Sequence, residues 1–389
     1  TYPVAAKGWV DGIYYRRELK KTSGTSYIES SAADYLAING QVWSENEGGR
    51  DEDAITYENT NSFDINLPNG NYEVSVTFTN PTKNAMDVVV RAEDIVRYSY
   101  GDHASSEIAE ATLEGGQTKT VTFMIALTDG QLTLRFEQKS TATSLVAAAT
   151  KPVYVKGVSI VELEKPAAGS VPTIFVLGDS TVQTYTRANY RTGWGQVLYK
   201  MFGEVSDNSV VTETEVGYAH YKTSTVEIKN YARDARSAKS FLEEGRLNEV
   251  LLNVKEGDYV FAQFAHNDSN TARPNRYLSE SEFRTYLMNY NKAIKERGGT
   301  LVLVTPIALN VVTDGVWDHR FESYRQVMLE LAEDEGIPVL DLMGSTYALL
   351  NAMGQTNVNA LNMYMSDAVH LQKNGADMFA QLLANLINA

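Results

Sequence analysis

The sequence predicts a protein of two domains, an antiparallel β-sandwich followed by an α/β domain built on a parallel sheet. The chain has 389 residues, which is too long for one ordinary hydrophobic core. Short strands with turns dominate before residue 165, and strands alternate with helices after residue 172. We therefore assign residues 1–165 to the sandwich, 166–172 to a linker and 173–389 to the α/β domain.

The composition is that of a globular protein and excludes several classes of function. Hydrophobic residues make up 43% of the chain and charged residues 21%, which is typical of a folded protein. The absence of cysteine excludes a disulfide scaffold, a thiol nucleophile and cysteine-ligated zinc. A net charge of −15 argues against nucleic acid and anionic membrane as partners. No apolar run is long enough to span a bilayer.

The first domain is predicted from short strands separated by turns. Residues 72–78 alternate apolar and polar side chains, the pattern of a strand with one buried face. Turn signals such as Asp129-Gly130 separate the candidate strands. The other candidate strands are residues 63–67, 86–92, 120–125, 132–136 and 153–161. Many short strands without helical periodicity indicate an antiparallel β-sandwich.

The second domain is predicted from alternating strands and helices. The apolar run 174–177 suits a strand buried on both faces, as in a parallel sheet. Ser279 and Glu282 read as a capping box ahead of a helical apolar pattern. The other predicted elements are strands 259–264, 301–305 and 337–342, helix 320–335, and a last helix from about residue 374.

Ser180 is the candidate nucleophile. It stands just past the carboxyl end of the predicted strand 174–177, where open α/β sheets place their chemistry. The alternative for this stretch alone is an ordinary polar turn. A serine hydroxyl is a poor nucleophile at neutral pH, so it needs a base, and the base needs a group that fixes its tautomer.

His370 is the candidate base and Asp367 is the group that orients it. Asp367 lies three residues earlier, so a single turn can bring its carboxylate to the ring nitrogen that does not face Ser180. The alternative for His370 alone is a capping or core histidine.

Two polar stretches supply candidate donors for an oxyanion hole. The Asn267 side-chain amide follows strand 259–264, and such a donor contributes about 3 kcal/mol to a developing oxyanion. The backbone N–H of Ala235 is the candidate second donor. The alternatives are an Asx-turn at Asn267 and a helix N-terminus capped by Ser237.

These blocks resemble the SGNH (GDSL-type) hydrolases. The sequence GDST around Ser180, the stretch 230–237, HND around Asn267 and DAVHL around His370 occur in the family's order. Within that superfamily, residues 172–389 are most similar to the rhamnogalacturonan acetylesterase-like carbohydrate esterases. The resemblance implies a flavodoxin-like α/β/α fold with the serine in a shallow, open cleft.

The resemblance also assigns roles to individual residues. It implies a catalytic triad of Ser180, His370 and Asp367. It implies an oxyanion hole made by the N–H groups of Ser180 and Ala235 together with the Asn267 side chain. No metal is expected to take part in the reaction.

Two alanines depart from the family's pattern. Ala235 and Ala265 stand where the family usually has glycine. If either position needs a positive φ, alanine costs about 1–2 kcal/mol. We expect the Ala265 methyl group to lie near the cleft and to narrow it.

Three further residues are candidate substrate contacts. Arg236 can orient a substrate, although a surface salt bridge is the alternative. Trp194 lies in a stretch that adds to the narrower resemblance. His266 precedes Asn267, and its alternative role is to hold loops by hydrogen bonds. We expect His220 and His319 to be structural or surface groups.

The first domain resembles, more weakly, the galactose-binding-like β-sandwiches found ahead of such esterases. The matching parts are residues 63–78 and 128–134. Domains of that kind often bind sugars and can hold a structural Ca²⁺ ion, and a purely structural domain is the alternative. Trp9 and Trp43 are the aromatic residues predicted to form a sugar platform.

We predict a secreted serine esterase that removes acetyl groups from a plant cell-wall polysaccharide, such as pectin, rhamnogalacturonan or xylan. Acetylated polysaccharides or oligosaccharides are its expected partners. One alternative is a lipid- or thioester-directed hydrolase of the same superfamily, and the other is a carbohydrate-binding protein with a decayed esterase domain. Because residue 1 is threonine, we expect the sequence to start after a leader or a cloning boundary.

Overall fold

The computed structural model divides the chain into two compact units. The first comprises Thr1–Lys165 together with Glu243–Asn248, and the second comprises Pro166–Leu242 together with Glu249–Ala389. The structure describes residues 14–16, 27–29, 36–39, 63–93, 109–138, 152–186, 191–211 and 217–389. Trp9 and Trp43, predicted as a sugar platform, lie outside the described residues.

The first unit is an antiparallel β-sandwich. Its strands are β1 (Tyr14–Arg16), β2 (Tyr27–Glu29), β3 (Leu36–Asn39), β4 (Phe63–Asn66), β5 (Gly70–Thr79), β6 (Met86–Ala92), β7 (Ala109–Leu113), β8 (Thr118–Leu127), β9 (Gln131–Gln138) and β10 (Pro152–Glu162). They form two sheets, in the orders β1-β4-β9-β6-β7 and β2-β3-β10-β5-β8. The pairs within both sheets are antiparallel, as the alternating pattern predicts.

The alternation along β5 explains how the sandwich closes. Val74, Val76 and Phe78 are completely buried, whereas the polar residues next to them in the chain are exposed or half-buried. Phe78 meets Phe136 of the other sheet edge to face, with ring centroids 5.9 Å apart. Both sheets contribute to one apolar core, which is the arrangement of a sandwich.

The second unit is an α/β domain. Its strands are β11 (Thr173–Gly178), β12 (Val205–Val211), β13 (Tyr218–Thr223), β14 (Glu227–Asn230), β15 (Tyr259–Gln263), β16 (Thr300–Val304), β17 (Val312–Thr313), β18 (Val316–Trp317) and β19 (Val339–Leu340). Its helices are α1 (Trp194–Val197), α2 (Ala238–Glu243), α3 (Arg246–Asn253), α4 (Glu280–Glu296), α5 (Glu322–Glu335), α6 (Leu342–Met353), α7 (Gln355–Ala360) and α8 (Lys373–Ile387), with a 3-10 turn at Leu198–Met201.

The main sheet of this unit is mostly parallel and has β11 at its centre. The strand order is β12-β13-β14-β11-β15-β16-β19. The strands β14, β11, β15, β16 and β19 run parallel, and β12 and β13 form an antiparallel edge. The chain leaves β11 towards β14 on one side and later continues with β15 on the other. This reversal opens a crevice at the carboxyl end of β11.

All six residues of β11 are buried, as the continuous apolar run predicts for a strand covered on both faces. Ile174 and Val176 belong to a core that includes Trp194 of α1 and Phe379 of α8. Phe175 points the other way and stacks on Tyr231, with ring centroids 6.2 Å apart.

The element boundaries follow the sequence prediction closely, with one clear difference. The predicted capping box is present, since Ser279 accepts the N–H of Glu282 and the Glu282 side chain accepts the N–H of Ser279. The strand predicted at 337–342 is limited to Val339–Leu340 because Asp341 caps α6 with its side chain. Asp341 therefore ends a strand that the apolar residues on either side of it predict to continue.

The described part of the chain shows neither a membrane-spanning helix nor a metal-binding cluster. No helix there combines the length and the apolar character needed to cross a membrane. No three His, Asp or Glu side chains gather there in a way that could hold a metal ion. The structural Ca²⁺ ion expected in the first unit stays a prediction.

Candidate active site

Ser180 stands on a tight turn at the carboxyl end of β11. The N–H of Gln183 donates to the carbonyl of Asp179 at 3.1 Å and closes the turn around the serine. At Gly178, a Cβ atom would lie 2.8 Å from the carbonyl oxygen of Gln263 on the neighbouring strand. A glycine is needed here because the two backbones approach too closely for any side chain.

His370 joins Ser180 to Asp367. Its Nε2 lies 2.8 Å from the Oγ of Ser180, and its Nδ1 lies 2.6 Å from the Oδ2 of Asp367. These are the two contacts that link a serine nucleophile, its base and an orienting carboxylate. The structure therefore brings together the three side chains that the sequence predicts as a triad.

The loop that carries His370 is held by local hydrogen bonds. The Oδ1 of Asp367 accepts the N–H of Val369 at 3.0 Å and the N–H of His370 at 2.9 Å. Burial raises the pKa of Asp367, but these bonds and the one to the His370 ring outweigh burial and hold that pKa below its ordinary value. The ionised carboxylate accepts the Nδ1 proton, which leaves Nε2 to take the proton of Ser180.

The predicted oxyanion donors lie on two loops that are bonded to each other. The Nδ2 of Asn267 donates to the carbonyl of Arg236 at 3.1 Å. This bond fixes one amide hydrogen, and the second is the one that can meet a developing oxyanion. Ala235 precedes Arg236 on the loop after β14. The N–H of Asp234 donates to the Oε1 of Gln183, which ties this loop to the nucleophile turn.

Both alanines that replace the family's usual glycines have positive φ. The angle is 65° at Ala235 and 107° at Ala265. Only the second lies outside the small left-handed region open to residues with a Cβ atom, so the expected cost of about 1–2 kcal/mol applies mainly to Ala265. The expectation that the Ala265 methyl group narrows the cleft is wrong, because this residue is completely buried. Its methyl group lies inside the protein.

Asp268 fixes the loop of Asn267 from the interior. Its Oδ2 accepts the N–H of Ala265 and its Oδ1 accepts the N–H of Ala238, both at 2.8 Å. The side chain is completely buried, and burial raises its pKa to about 7 against the opposing effect of these donors. The carboxyl group therefore holds the start of α2 beside the loop that presents the oxyanion donor.

A chain of buried polar side chains runs beneath Ser180. The Nε1 of Trp194 donates to Gln263, whose Nε2 donates to the Oγ1 of Thr181, both at 2.7 Å. That hydroxyl donates to the Oδ1 of Asp179 at 2.7 Å, and the Oδ2 of Asp179 lies 3.1 Å from the Nδ1 of His266. The chain satisfies polar groups that would otherwise be buried without partners.

The three predicted substrate contacts differ in burial, and only the prediction for Trp194 is wrong, because its side chain is fully buried. Trp194 is completely buried and contacts Gln263. Arg236 is 4% exposed, and its Nη1 donates to the carbonyl of Asp234 at 2.9 Å. The His266 side chain is 6% exposed and faces Asp179. Each residue bonds to neighbouring residues of the site, and the substrate contacts expected for Arg236 and His266 stay predictions.

Residues that the sequence analysis missed support the nucleophile directly. The hydroxyl of Tyr185 donates to the carbonyl of Ser180 at 2.7 Å, and the guanidinium carbon of Arg191 lies 5.6 Å from the Tyr185 ring centroid. Asp179 is the second missed residue. The sequence contained a signal for Asp179, because an acidic residue at the end of a fully buried strand needs hydrogen-bond partners.

The other two histidines of the described residues take no part in this cluster of contacts. His220 of β13 has its ring nitrogens 3.7 Å from Asp207 and from Glu227. His319 is exposed and stacks on Tyr347, with ring centroids 4.1 Å apart.

The arrangement of hydroxyl, imidazole and carboxylate is that of a serine hydrolase. Residues 176–378 match the GDSL-like Lipase/Acylhydrolase family. The chain belongs to this family, and it is a GDSL-type acylhydrolase or esterase. The first unit is an additional β domain ahead of the SGNH domain.

Several relatives are similar to this chain. The "Uncharacterized esterase YxiM" of Bacillus subtilis is 30% identical over 331 residues, covering 84% of this chain and 73% of the relative. The "Probable rhamnogalacturonan acetylesterase YesY" of the same organism is 31% identical over 215 residues, covering 54% of this chain and 90% of the relative. A crystal structure of the Bacillus subtilis YxiM protein matches with a TM-score of 0.47 and 25% identity, covering 96% of this chain and 90% of that chain.

Proposed function

We propose that this protein is a secreted carbohydrate acetylesterase that removes acetyl groups from an acetylated plant cell-wall polysaccharide. The observation that carries the proposal is the continuous relay from the Ser180 hydroxyl through His370 to Asp367, with contacts of 2.8 and 2.6 Å. The similarity of about half of this chain to a relative named as a probable rhamnogalacturonan acetylesterase supports the choice of acyl group and substrate.

The proposed reaction proceeds through an acetyl-enzyme. The Oγ of Ser180 attacks the acetyl carbonyl while its proton moves to the Nε2 of His370. The negative oxygen of the tetrahedral intermediate meets the N–H groups of Ser180 and Ala235 and the amide of Asn267. The intermediate then collapses, and the departing sugar oxygen takes the proton from His370.

Deacylation repeats the same steps with water. His370 takes a proton from the attacking water, the second tetrahedral intermediate forms, and the Ser180 oxygen leaves with that proton. The products are acetate and the free serine. Asp367 stays ionised throughout, because its role is to fix the imidazole and to stabilise the imidazolium form.

Acetate release from defined substrates tests the proposal. Wild-type protein and Ser180→Ala are incubated with acetylated pectin, acetylated xylan and nitrophenyl acetate, and released acetate is measured. We expect the variant to lose at least about 10³-fold in turnover on every substrate with its fold unchanged. Retained turnover would contradict the assignment of Ser180.

The same assay separates the alternatives. Nitrophenyl esters of longer acyl chains, hydrolysed faster than acetate, would favour a lipid-directed hydrolase over a carbohydrate acetylesterase. Binding of acetylated polysaccharide without acetate release would favour a carbohydrate-binding protein.

A further inference from the structure

A second aspartate–histidine pair lies beneath the proposed nucleophile. The Nδ1 of His266 lies 3.1 Å from the Oδ2 of Asp179. The Asp179 side chain is completely buried and that of His266 is 6% exposed. The two residues are 87 positions apart in the sequence, so this contact joins the loop after β11 to the loop after β15.

The pair is important because of the residue that follows each of its members in the sequence. Asp179 is the residue immediately before Ser180, and His266 is the residue immediately before Asn267. Ser180 and Asn267 each supply a proposed oxyanion donor, one from its backbone N–H and one from its side chain. The hydrogen bond between Asp179 and His266 therefore connects the two peptide segments that carry these donors.

The hydrogen bonds around the pair determine its protonation. The Oδ1 of Asp179 accepts the N–H of Thr181 at 2.8 Å and its hydroxyl at 2.7 Å. An ionised carboxylate only accepts hydrogen bonds, so the Nδ1 of His266 must carry the hydrogen in this contact. Burial favours the neutral acid, but His266 and Thr181 together keep the pKa of Asp179 below its ordinary value.

His266 is not placed to act as a second base. Its Nε2 is buried and has no hydrogen-bond partner among the described residues. Its ring packs edge to face on Phe321, with centroids 4.6 Å apart. The Nδ1 atom is bonded to Asp179, so neither nitrogen is available to the Ser180 hydroxyl, which already contacts His370.

We propose that His266 is a positioning residue that, through Asp179, sets the spacing of the Ser180 N–H and the Asn267 amide in the oxyanion hole. The proposal rests on the serine-esterase function proposed above. Loss of the bond would let the two loops shift, and a misplacement of about 1 Å costs on the order of 10²-fold in rate. Substrate binding outside the oxyanion hole would not change.

A matched pair of substitutions isolates this bond. In His266→Asn, the side-chain amide nitrogen can replace Nδ1 and still donate to Asp179. In His266→Gln, the side-chain amide nitrogen reaches the position of Nε2 instead and cannot donate to Asp179. The pair of variants His220→Asn and His220→Gln is the control, because His220 also has carboxylate neighbours but lies on β13, away from the site.

The measurements are kcat and KM for nitrophenyl acetate and the inhibition constant of phenylboronic acid. A boronate forms a tetrahedral adduct on serine, so its affinity reports the oxyanion hole. For His266→Gln we expect kcat to fall about 10²-fold, the boronate inhibition constant to rise in proportion, and KM to change less than about 3-fold. His266→Asn should remain within about 10-fold of wild type on both readouts, and both His220 variants should be unchanged.

Three outcomes would overturn the proposal. The first is wild-type kcat in His266→Gln, and the second is a loss confined to KM. The third is a loss in His266→Asn as large as in His266→Gln, which would mean that the bond to Asp179 is not what matters. If His266→Gln does not fold, the Asn variant decides alone, since the proposal requires it to keep kcat and boronate affinity. Ser180→Ala is measured in parallel, because turnover there would refute the esterase function and this proposal with it, whereas the three outcomes above refute this proposal alone.

Discussion

Two aspartate–histidine pairs meet at Ser180, and they differ in burial. The side chains of Asp179 and His266 are 0% and 6% exposed, whereas those of Asp367 and His370 are 43% and 21% exposed. The buried pair joins two distant loops. The exposed pair lies within one loop, and its His370 ring contacts the Ser180 hydroxyl at 2.8 Å.

This difference in burial means that the two pairs contribute differently to the stability of the protein and to its chemistry. A buried carboxylate is costly to leave without its hydrogen-bond partners because its charge stays in the interior. An exposed pair contributes little to stability because water replaces either partner. Substitutions in the buried pair should therefore change the stability of the protein and the geometry of the site, and substitutions in the exposed pair should change proton transfer alone.

The largest expected effect is on turnover, from the exposed pair. We expect His370→Ala to lower kcat by about 10⁴- to 10⁶-fold and Asp367→Asn by about 10²- to 10⁴-fold. The Asn oxygen can still accept the backbone N–H groups, but its amide would face Nδ1 and favour the tautomer that points a hydrogen at Ser180. Steady-state kinetics with nitrophenyl acetate measure both losses, and denaturant unfolding should show changes below about 1 kcal/mol. A loss in Asp367→Asn as large as that in His370→Ala would contradict a purely orienting role.

The next effect is on stability, from the buried pair. Asp179→Asn should lower the free energy of unfolding by about 3 kcal/mol at pH 7. The folded-state pKa of Asp179 lies below its ordinary value of 3.8, so its stabilising contribution is complete above about pH 4 and is lost as the pH falls through the folded-state pKa. Urea unfolding between pH 7 and pH 3 should show the gap between wild type and variant closing below about pH 4. A gap that is constant across this range would mean that the charge of Asp179 does not stabilise the fold.

The smallest expected effect is on stability, from one alanine in a loop of each pair. Ala265 precedes His266 with φ of 107°, and Ala368 lies between Asp367 and His370 with φ of 63°. Only the second value falls in the small left-handed region open to residues with a Cβ atom. We expect Ala265→Gly to stabilise the protein by about 1 kcal/mol and Ala368→Gly by less.

Thermal unfolding measures both alanine substitutions. Ala380→Gly, in the interior of α8, is the control and should destabilise by about 1 kcal/mol because φ there is helical. A loss of stability in Ala265→Gly would show that the buried methyl group matters more than the backbone strain.

Contacts between residues close in the sequence could be predicted, and contacts between distant residues could not. Asp367 and His370 are three residues apart, so a local turn was enough to suggest their contact. The partner of Asp179 is 87 residues away, and a sequence offers no spacing from which to infer such a bond. Trp194 was wrongly assigned to the substrate because its place in a family-like stretch does not reveal whether it faces solvent or the core.

The fold was more predictable than the site for a related reason. Alternation along β5 and the apolar run of β11 are local patterns, and local patterns decide which face of a strand is buried. The limits of β19 depend on Asp341, whose carboxylate caps α6 and bonds to Arg325 at 2.6 Å. Such contacts between elements form only in the folded chain.

The most direct test of the central claim is the site and rate of phosphonylation by a fluorophosphonate, followed by intact mass and peptide mapping. We expect one adduct, located on Ser180, that forms at least about 10³-fold more slowly in His370→Ala, because Nε2 no longer removes the hydroxyl proton. An adduct on another residue, or an unchanged rate in His370→Ala, would contradict the central claim.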